Sequence, residues 1–248
     1  MMALLFDDSN TEYMIVLSAI STSTPFSMAC WFRSDDPAAG QCVMSIANNN
    51  NDVNYFSLEA RGDVAGDYIR ACTRNSVGYV AATSTKGYAA NAWHHACGVW
   101  ASSGDRRVYL DGGNKGTNNL DRTPSGLNRT AVGVICRQNK FLYMSGYIAE
   151  AAIWDVALTD AEAAILAAGY SPLFVRPQSL IVYWPMVRRL ETGQSIELIQ
   201  SKQLLVGIAP DNGGHCPVIY PAAGQLHGVA SGAPLAIIMQ HYKKMRVA

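Results

Sequence analysis

GYIAEAAIWDVALTDAEAAILAAG, residues 146 to 169, decides the fold. It begins as an apolar run of strand character, passes a Trp154-Asp155 pair and enters a short helix. Thr159 and Glu162, three residues apart, form a capping box in which each side chain serves the other's backbone N–H. Ala161, Ala163, Ala164, Ile165, Leu166, Ala167 and Ala168 are mostly good helix formers, and Gly169 supplies the left-handed stop. A helix of about ten residues is marginal alone in water. It is expected to dock through Ile165 and Leu166 and to plug an edge or end of a larger β-structure.

That β-structure is legible on both sides of the helix. EYMIVLSAI and FSMACWFR are separated by the polar STSTP, and Phe26, Met28 and Cys30 alternate with Ser27, Ala29 and Trp31. A period of two marks a strand. CVMSIA, YFSLEA, DYIRACT, VGYVAATS, WHHACGVW, RRVYLDG, AVGVICR and YMSGYIAEAAIW repeat the pattern, with the polar loop NNNNDVN at 48–54 among the junctions. SLIVYWPMV, 179–187, returns as a last apolar strand whose Pro185 suits only an edge or an end. Strand follows strand with no long amphipathic helix between, which predicts an all-β fold, an antiparallel jelly-roll sandwich. Within it Trp93, His95, Cys97 and Val99 share one face of their strand, and His94, Ala96, Gly98 and Trp100 the other. The expected organisation is a sandwich over 1–187 and a C-terminal extension and assembly arm over 188–248.

Composition narrows the function. The chain is 49% hydrophobic and 15% charged, against about 25% charged in an ordinary globular protein, which suits a subunit covered by neighbours. Lys plus Arg and Asp plus Glu number 19 each, so no global positive field gathers nucleic acid. The six cysteines contain no CxxC pair or ligand-like cluster, which disfavours structural zinc and suits most of them as small buried hydrophobes of a chain assembled in a reducing cytoplasm, with disulfides open to form later outside the cell. No secretion signal is visible in MMALLFDDSN. The apolar piece around LAIIM, close to Gly232 and Pro234, is too short to cross a membrane.

WHHACGVW followed by RRVYLDGG resembles the paired strands of concanavalin A-like, laminin-G-like and pentraxin-like jelly rolls. Gly146, Ile148, Ile153, Trp154, Leu158, Thr159, Glu162 and Gly169 are similar to the ending of that pattern, and the resemblance runs over about residues 11 to 187. It implies the sandwich strongly and an activity weakly, because the fold serves adhesion modules, lectins, glycanases and virion proteins alike. It also implies a calcium site of loop oxygens, for which Asn51, Asp52, Gln138 and Asn139 are the candidates, with Asn49 and Asn50 nearby. Arg137 stands where the pattern has its first acidic ligand, and a cation there repels calcium. Otherwise no cofactor is expected. The retaining glucanases of the wider fold place two acids on one strand at E-x-D-x-x-E spacing. This chain has no such segment, and turnover abolished by Glu150→Gln or Glu59→Gln is not expected. His94 and His95 point to opposite faces and cannot chelate one ion together.

The leading expectation is a non-enzymatic virion structural protein, a phage capsid decoration protein made in the host cytoplasm. Its partners would be copies of itself and a major capsid protein or other virion protein, with Leu235, Ile237, Ile238, Met239 and Tyr242 of the tail adding a strand to a neighbour. The CPVIYP passage at 216–221 resembles tailed-phage structural proteins. The alternative is a carbohydrate-binding module of a tail fibre or adhesin, holding a surface glycan on loop aromatics, namely Tyr55, Tyr68, Tyr79 and Tyr143, with or without calcium.

Overall fold

A computed structural model describes residues 2–186, 205–208, 211–214, 216, 218 and 219. Among them fifteen strands form two sheets in which every pairing is antiparallel. The first eleven strands are β1 (Met2–Phe6), β2 (Tyr13–Val16), β3 (Phe26–Ser34), β4 (Gly40–Ala47), β5 (Tyr55–Arg61), β6 (Tyr68–Asn75), β7 (Gly78–Gly87), β8 (His94–Ser102), β9 (Asp105–Leu110), β10 (Gly113–Asn118) and β11 (Arg129–Val132). β12 (Gly146–Trp154), helix α1 (Asp160–Ala167), a 3-10 turn at Pro172–Phe174, β13 (Leu180–Trp184), β14 (Leu205–Ile208) and β15 (Asp211–Gly214) follow. The eight-stranded sheet runs β10-β9-β8-β3-β12-β1-β15, with β13 also on β12; the seven-stranded sheet runs β14-β2-β11-β4-β5-β6-β7. Two stacked antiparallel sheets are the all-β sandwich that strand alternation predicts.

The core between the sheets is aromatic. Trp100 stacks on Phe26 at 4.8 Å between ring centroids, and Phe56 meets both rings edge-on. Trp100 Nε1 donates to Thr73 Oγ1 at 3.0 Å, so its one polar atom is satisfied across the sandwich. Arg106 is fully buried and makes no ion pair among the described residues; its guanidinium donates to Thr73 Oγ1, Asn118 Oδ1 and the carbonyls of Ser103 and Leu120. The alternation in β8 is as expected: Ala96 and Trp100 enter this core, while Cys97 and Val99 pack on the outer side. All six cysteines are buried.

β12 is broken by a bulge at Glu150, whose φ is 55°. One edge of β12 therefore serves two strands in succession, β1 along 146–148 and β13 along 151–154. At the far side of the sandwich β10 crosses β7 so closely that a Cβ on Gly116 would lie 1.8 Å from the Thr83 carbonyl oxygen. Only glycine permits that approach.

The helix forms with the expected capping box at Thr159 and Glu162, but it does not plug an edge. It lies over the outer face of the eight-stranded sheet, where Ala163 and Leu166 join Cys97, Val99, Tyr109 and Trp154. Ile165 is 41% exposed while Leu166 is 1% exposed, because successive helical residues diverge by about 100° and only the 163/166 side meets the sheet. Asp160 pins the helix through Tyr109 and Lys115. Two strands lie outside the runs marked in the sequence, β1 and the polar β10. β14 and β15, in the stretch expected to be an extension, join the sandwich's own sheets at β2 and β1.

Candidate carbohydrate site on the seven-stranded sheet

The outer face of the seven-stranded sheet is half roofed. The chain leaves β11 at Gly133, where φ is 85°, and the 133–145 segment folds back over the strands it came from. Cys42 N–H donates to the Leu142 carbonyl at 2.9 Å and Gly133 N–H to that of Val43 at 3.1 Å. Beneath this roof Val134, Ile135 and Cys136 pack on Cys42, Ala47, Tyr55 and Ala131, with Tyr13 and Tyr143 beside them. Among the described residues the other half, over β5, β6 and β7, carries no such roof.

Register sets what stands there. Tyr55 pairs with Arg74 and Arg74 with Tyr79; Ser57 pairs with Cys72; Glu59 pairs with Arg70; Arg61 pairs with Tyr68. Directly paired residues share a face, so these side chains form successive rows. Where roof and open face meet is a recess of about 320 Å³ lined by Tyr55, Glu59, Arg61, Arg74, Tyr79, Phe141 and Leu142. Ligand pockets commonly span about 300–1,000 Å³, so this one suits a small ligand or one unit of a larger one.

Glu59 is 1% exposed. It accepts from Ser57 Oγ at 2.6 Å, Arg61 Nη1 at 3.2 Å and Tyr79 Oη at 3.3 Å. Arg61 also grips Asp63 with both arms, at 2.7 Å each, which lifts the guanidinium pKa and holds the Asp63 carboxyl low. Burial, with nearby Glu59, pushes Tyr55 up to about 12 and Tyr79 higher still. Both phenols thus remain protonated donors at any physiological pH. The Cys72 thiol, 2.8 Å from Tyr79 Oη, is raised by burial and by Glu59; it stays neutral and is a poor nucleophile. The recess therefore offers aromatic walls, one ionic floor and several hydrogen-bonding groups. A glycosidase needs a second carboxylate facing the first, and among the described residues Glu59 is the one acid in the lining.

Of the aromatics named from sequence, Tyr55 and Tyr79 line the recess. Tyr68 stands on the same face beside Arg61, and Tyr143 lies at the roof, 6.3 Å from Tyr13. The expectation of loop aromatics needs correction: Tyr55, Tyr68 and Tyr79 are strand residues, and Tyr143 alone is in a loop. The period of two is what aligns the three on one surface.

The loop oxygens do converge, but not on a cavity for calcium. Both Asp52 oxygens accept from Asn139, at 2.7 Å from its backbone N–H and 2.6 Å from Nδ2, and Arg137 lies 3.5 Å away. Asn51 Oδ1 accepts from Val53, Asn54 N–H and Asn54 Nδ2. Gln138 meets this loop through its backbone N–H, which donates to the Asn51 carbonyl at 3.1 Å. The oxygens a hard cation requires are occupied by donors and a guanidinium, so the residues do not fit calcium. Among the described residues no group of three or more His, Cys, Asp or Glu could hold a metal. His94 and His95 diverge as expected: His94 bonds Asp111 and accepts the Ala89 N–H, while His95 is buried against Trp31. Leu235, Ile237, Ile238, Met239 and Tyr242 lie outside the described residues.

Sequence reasoning used Glu59 only as a control for glycanase activity and did not reach Arg61, Arg74, Phe141 or Leu142. The available signal was a carboxylate inside the apolar strand YFSLEA; a charge buried there requires partners.

Comparison with known proteins agrees with this architecture. Residues 8–164 match the family model described as the concanavalin A-like lectin/glucanases superfamily. Among solved structures, the native heptameric SAP-like pentraxin from Limulus polyphemus superposes with a TM-score of 0.56 at 14% identity, over 84% of this chain and 95% of that one. Domain 4 of an extracellular arabinanase from Geobacillus stearothermophilus, solved with arabinotriose, gives 0.51 at 20% identity, over 62% and 72%. A protein from Bacteroides ovatus gives 0.56 at 15% identity, over 86% and 61%. A search of curated proteins finds no match. At such identities the structural likenesses speak for the fold, and the family match covers more than half the chain: this protein belongs to the concanavalin A-like lectin/glucanase superfamily.

Proposed function

We propose that this protein binds carbohydrate, without turnover, in the recess between the 133–145 roof and the open half of the seven-stranded sheet. The observation that carries the reading is the buried Glu59 carboxylate framed by Tyr55 and Tyr79. A sugar ring has an apolar C–H face and an edge of hydroxyls. Tyrosine rings accept the first with little entropy loss, and a fixed carboxylate accepts hydrogen bonds from the second. Because Ser57, Arg61 and Tyr79 already hold Glu59, little reorganisation accompanies binding. One of the similar structures, the arabinanase domain, was solved in complex with arabinotriose, which supports the reading. Nothing in the comparisons speaks for a capsid partner, and the virion role draws no support from the recess.

The test is a glycan array followed by titration, with and without a chelator. Binding is expected to survive chelation, since the calcium candidates are internally bonded, and to fall at least tenfold in Tyr79→Ala. An array with no hit, or full affinity in a folded Tyr79→Ala variant, would refute the site.

A further inference from the structure

Three arginines stand on the open half of the sheet, and they are not equivalent. Arg61 is engaged by Asp63 and Glu59. Arg70, cross-strand from Glu59 and Thr83, and Arg74, which lines the recess, have no ion pair among the described residues. The Nε of each is buried without a hydrogen-bond partner. Arg106 is the internal contrast. Buried without an ion pair among the described residues, it is nonetheless satisfied at Nε and both Nη atoms by side chains and carbonyls of the fold. Arg122, outside the recess lining, shares the unpartnered Nε, so what sets Arg74 and Arg70 apart is their place at the recess without an ion pair among the described residues; Arg74 keeps a side-chain hydrogen bond with Tyr55.

The nearby acids do not answer them. Asp63 is held by Arg61 and Asp52 by Asn139 and Arg137, and Glu59 is held by Ser57, Arg61 and Tyr79. A guanidinium fork matches a carboxylate in geometry and charge. Glu59 repels a second carboxylate from the floor, so an anionic ligand must enter with its charge toward Arg74 and its hydroxyls toward Glu59. That fixes an orientation as well as a class.

We propose that the recess selects an acidic sugar, whose carboxylate sits on Arg74 with Arg70 behind it while the ring lies against Tyr79 and Tyr55. This inference rests on the carbohydrate reading above and narrows it to uronic or ulosonic acid units.

The test is calorimetric titration of the full chain with two matched pairs, trigalacturonate against galactotriose and sialyllactose against lactose. The acidic member is expected to bind at least tenfold tighter, and the acidic-to-neutral affinity ratio to fall toward one in Arg74→Gln and partway in Arg70→Gln. Which pair shows the larger ratio separates uronic from ulosonic recognition. Neutral sugars binding as tightly as acidic ones in the unmodified chain would overturn this assignment and leave the carbohydrate reading standing. No binding of either class would overturn both. Competition by inorganic sulfate as effective as the acidic sugar would reveal a bare anion site and also overturn it.

Discussion

Removing the ring nitrogens of His95 should make the fold less sensitive to mild acid. His95 is 2% exposed, its Nδ1 has no hydrogen-bond partner, and its ring meets Trp31 edge-on at 5.4 Å. Burial depresses its pKa from 6.5 to about 4, against a weaker opposing pull from Asp111. In the unfolded chain the imidazole protonates below pH 6.5, while in the folded one it stays neutral until about pH 4. The unfolded state therefore binds more protons throughout that window. The stabilisation due to the neutral ring is complete above pH 6.5 and is lost as pH falls toward 4. At about 1.36 kcal/mol per pKa unit, the loss between pH 7 and pH 5 is about 2 kcal/mol. The lowered carboxylates, Asp63, Asp105, Asp111 and Asp160 among them, titrate below this window and add their losses later. The assay is urea unfolding at pH 7, 6 and 5 for the native chain and His95→Phe, which keeps an aromatic edge against Trp31. The native stability should decline by about 2 kcal/mol and that of the variant should change little. Equal slopes in the two proteins would refute the argument.

Three further outcomes follow from the geometry. Gly116→Ala should cost about 3 kcal/mol by chemical denaturation, because its Cβ meets the Thr83 backbone and β10 must lift off β7. Thr159→Ala removes the acceptor for the Glu162 N–H and should cost about 1 kcal/mol, read as a small fall in Tm with recess binding retained. Deleting 205–219 strips β14 from β2 and β15 from β1; a lower Tm and self-association through the exposed edges are expected in thermal melts and light scattering.

The elements that depend on near neighbours were legible in the sequence. The helix cap needs only Thr159 and Glu162, and the inside-outside division of β8 needs only a period of two. Trp100 and Cys97 fall on the sides that alternation assigns them. Pairing between distant strands was not legible, because β3 lies between β8 and β12 by virtue of contacts made 62 to 127 residues away in sequence. β10 escaped notice since Gly113–Asn118 is polar and gains its strand form from the β9 edge. The recess was hidden for the same reason. Glu59 and Tyr79 come from different strands, and Phe141 and Leu142 from a segment whose return over the sheet starts at Gly133. Tyr55 and Tyr79 were nameable as aromatics, but their shared surface exists only once β5, β6 and β7 are in register.

The position of β1 has a consequence for how the chain is made. Residues 2–6 find their partners at 146–148 on one side and 211–214 on the other. At a synthesis rate of about 5–20 residues per second, the first of those partners emerges roughly seven to thirty seconds after β1 and the second later still. Throughout that interval the nascent chain carries MALLF without the strands that will flank it, an apolar segment open to association with other chains. Any factor that shields this segment would have to stay until residue 148 has left the ribosome, which is the timing this topology imposes.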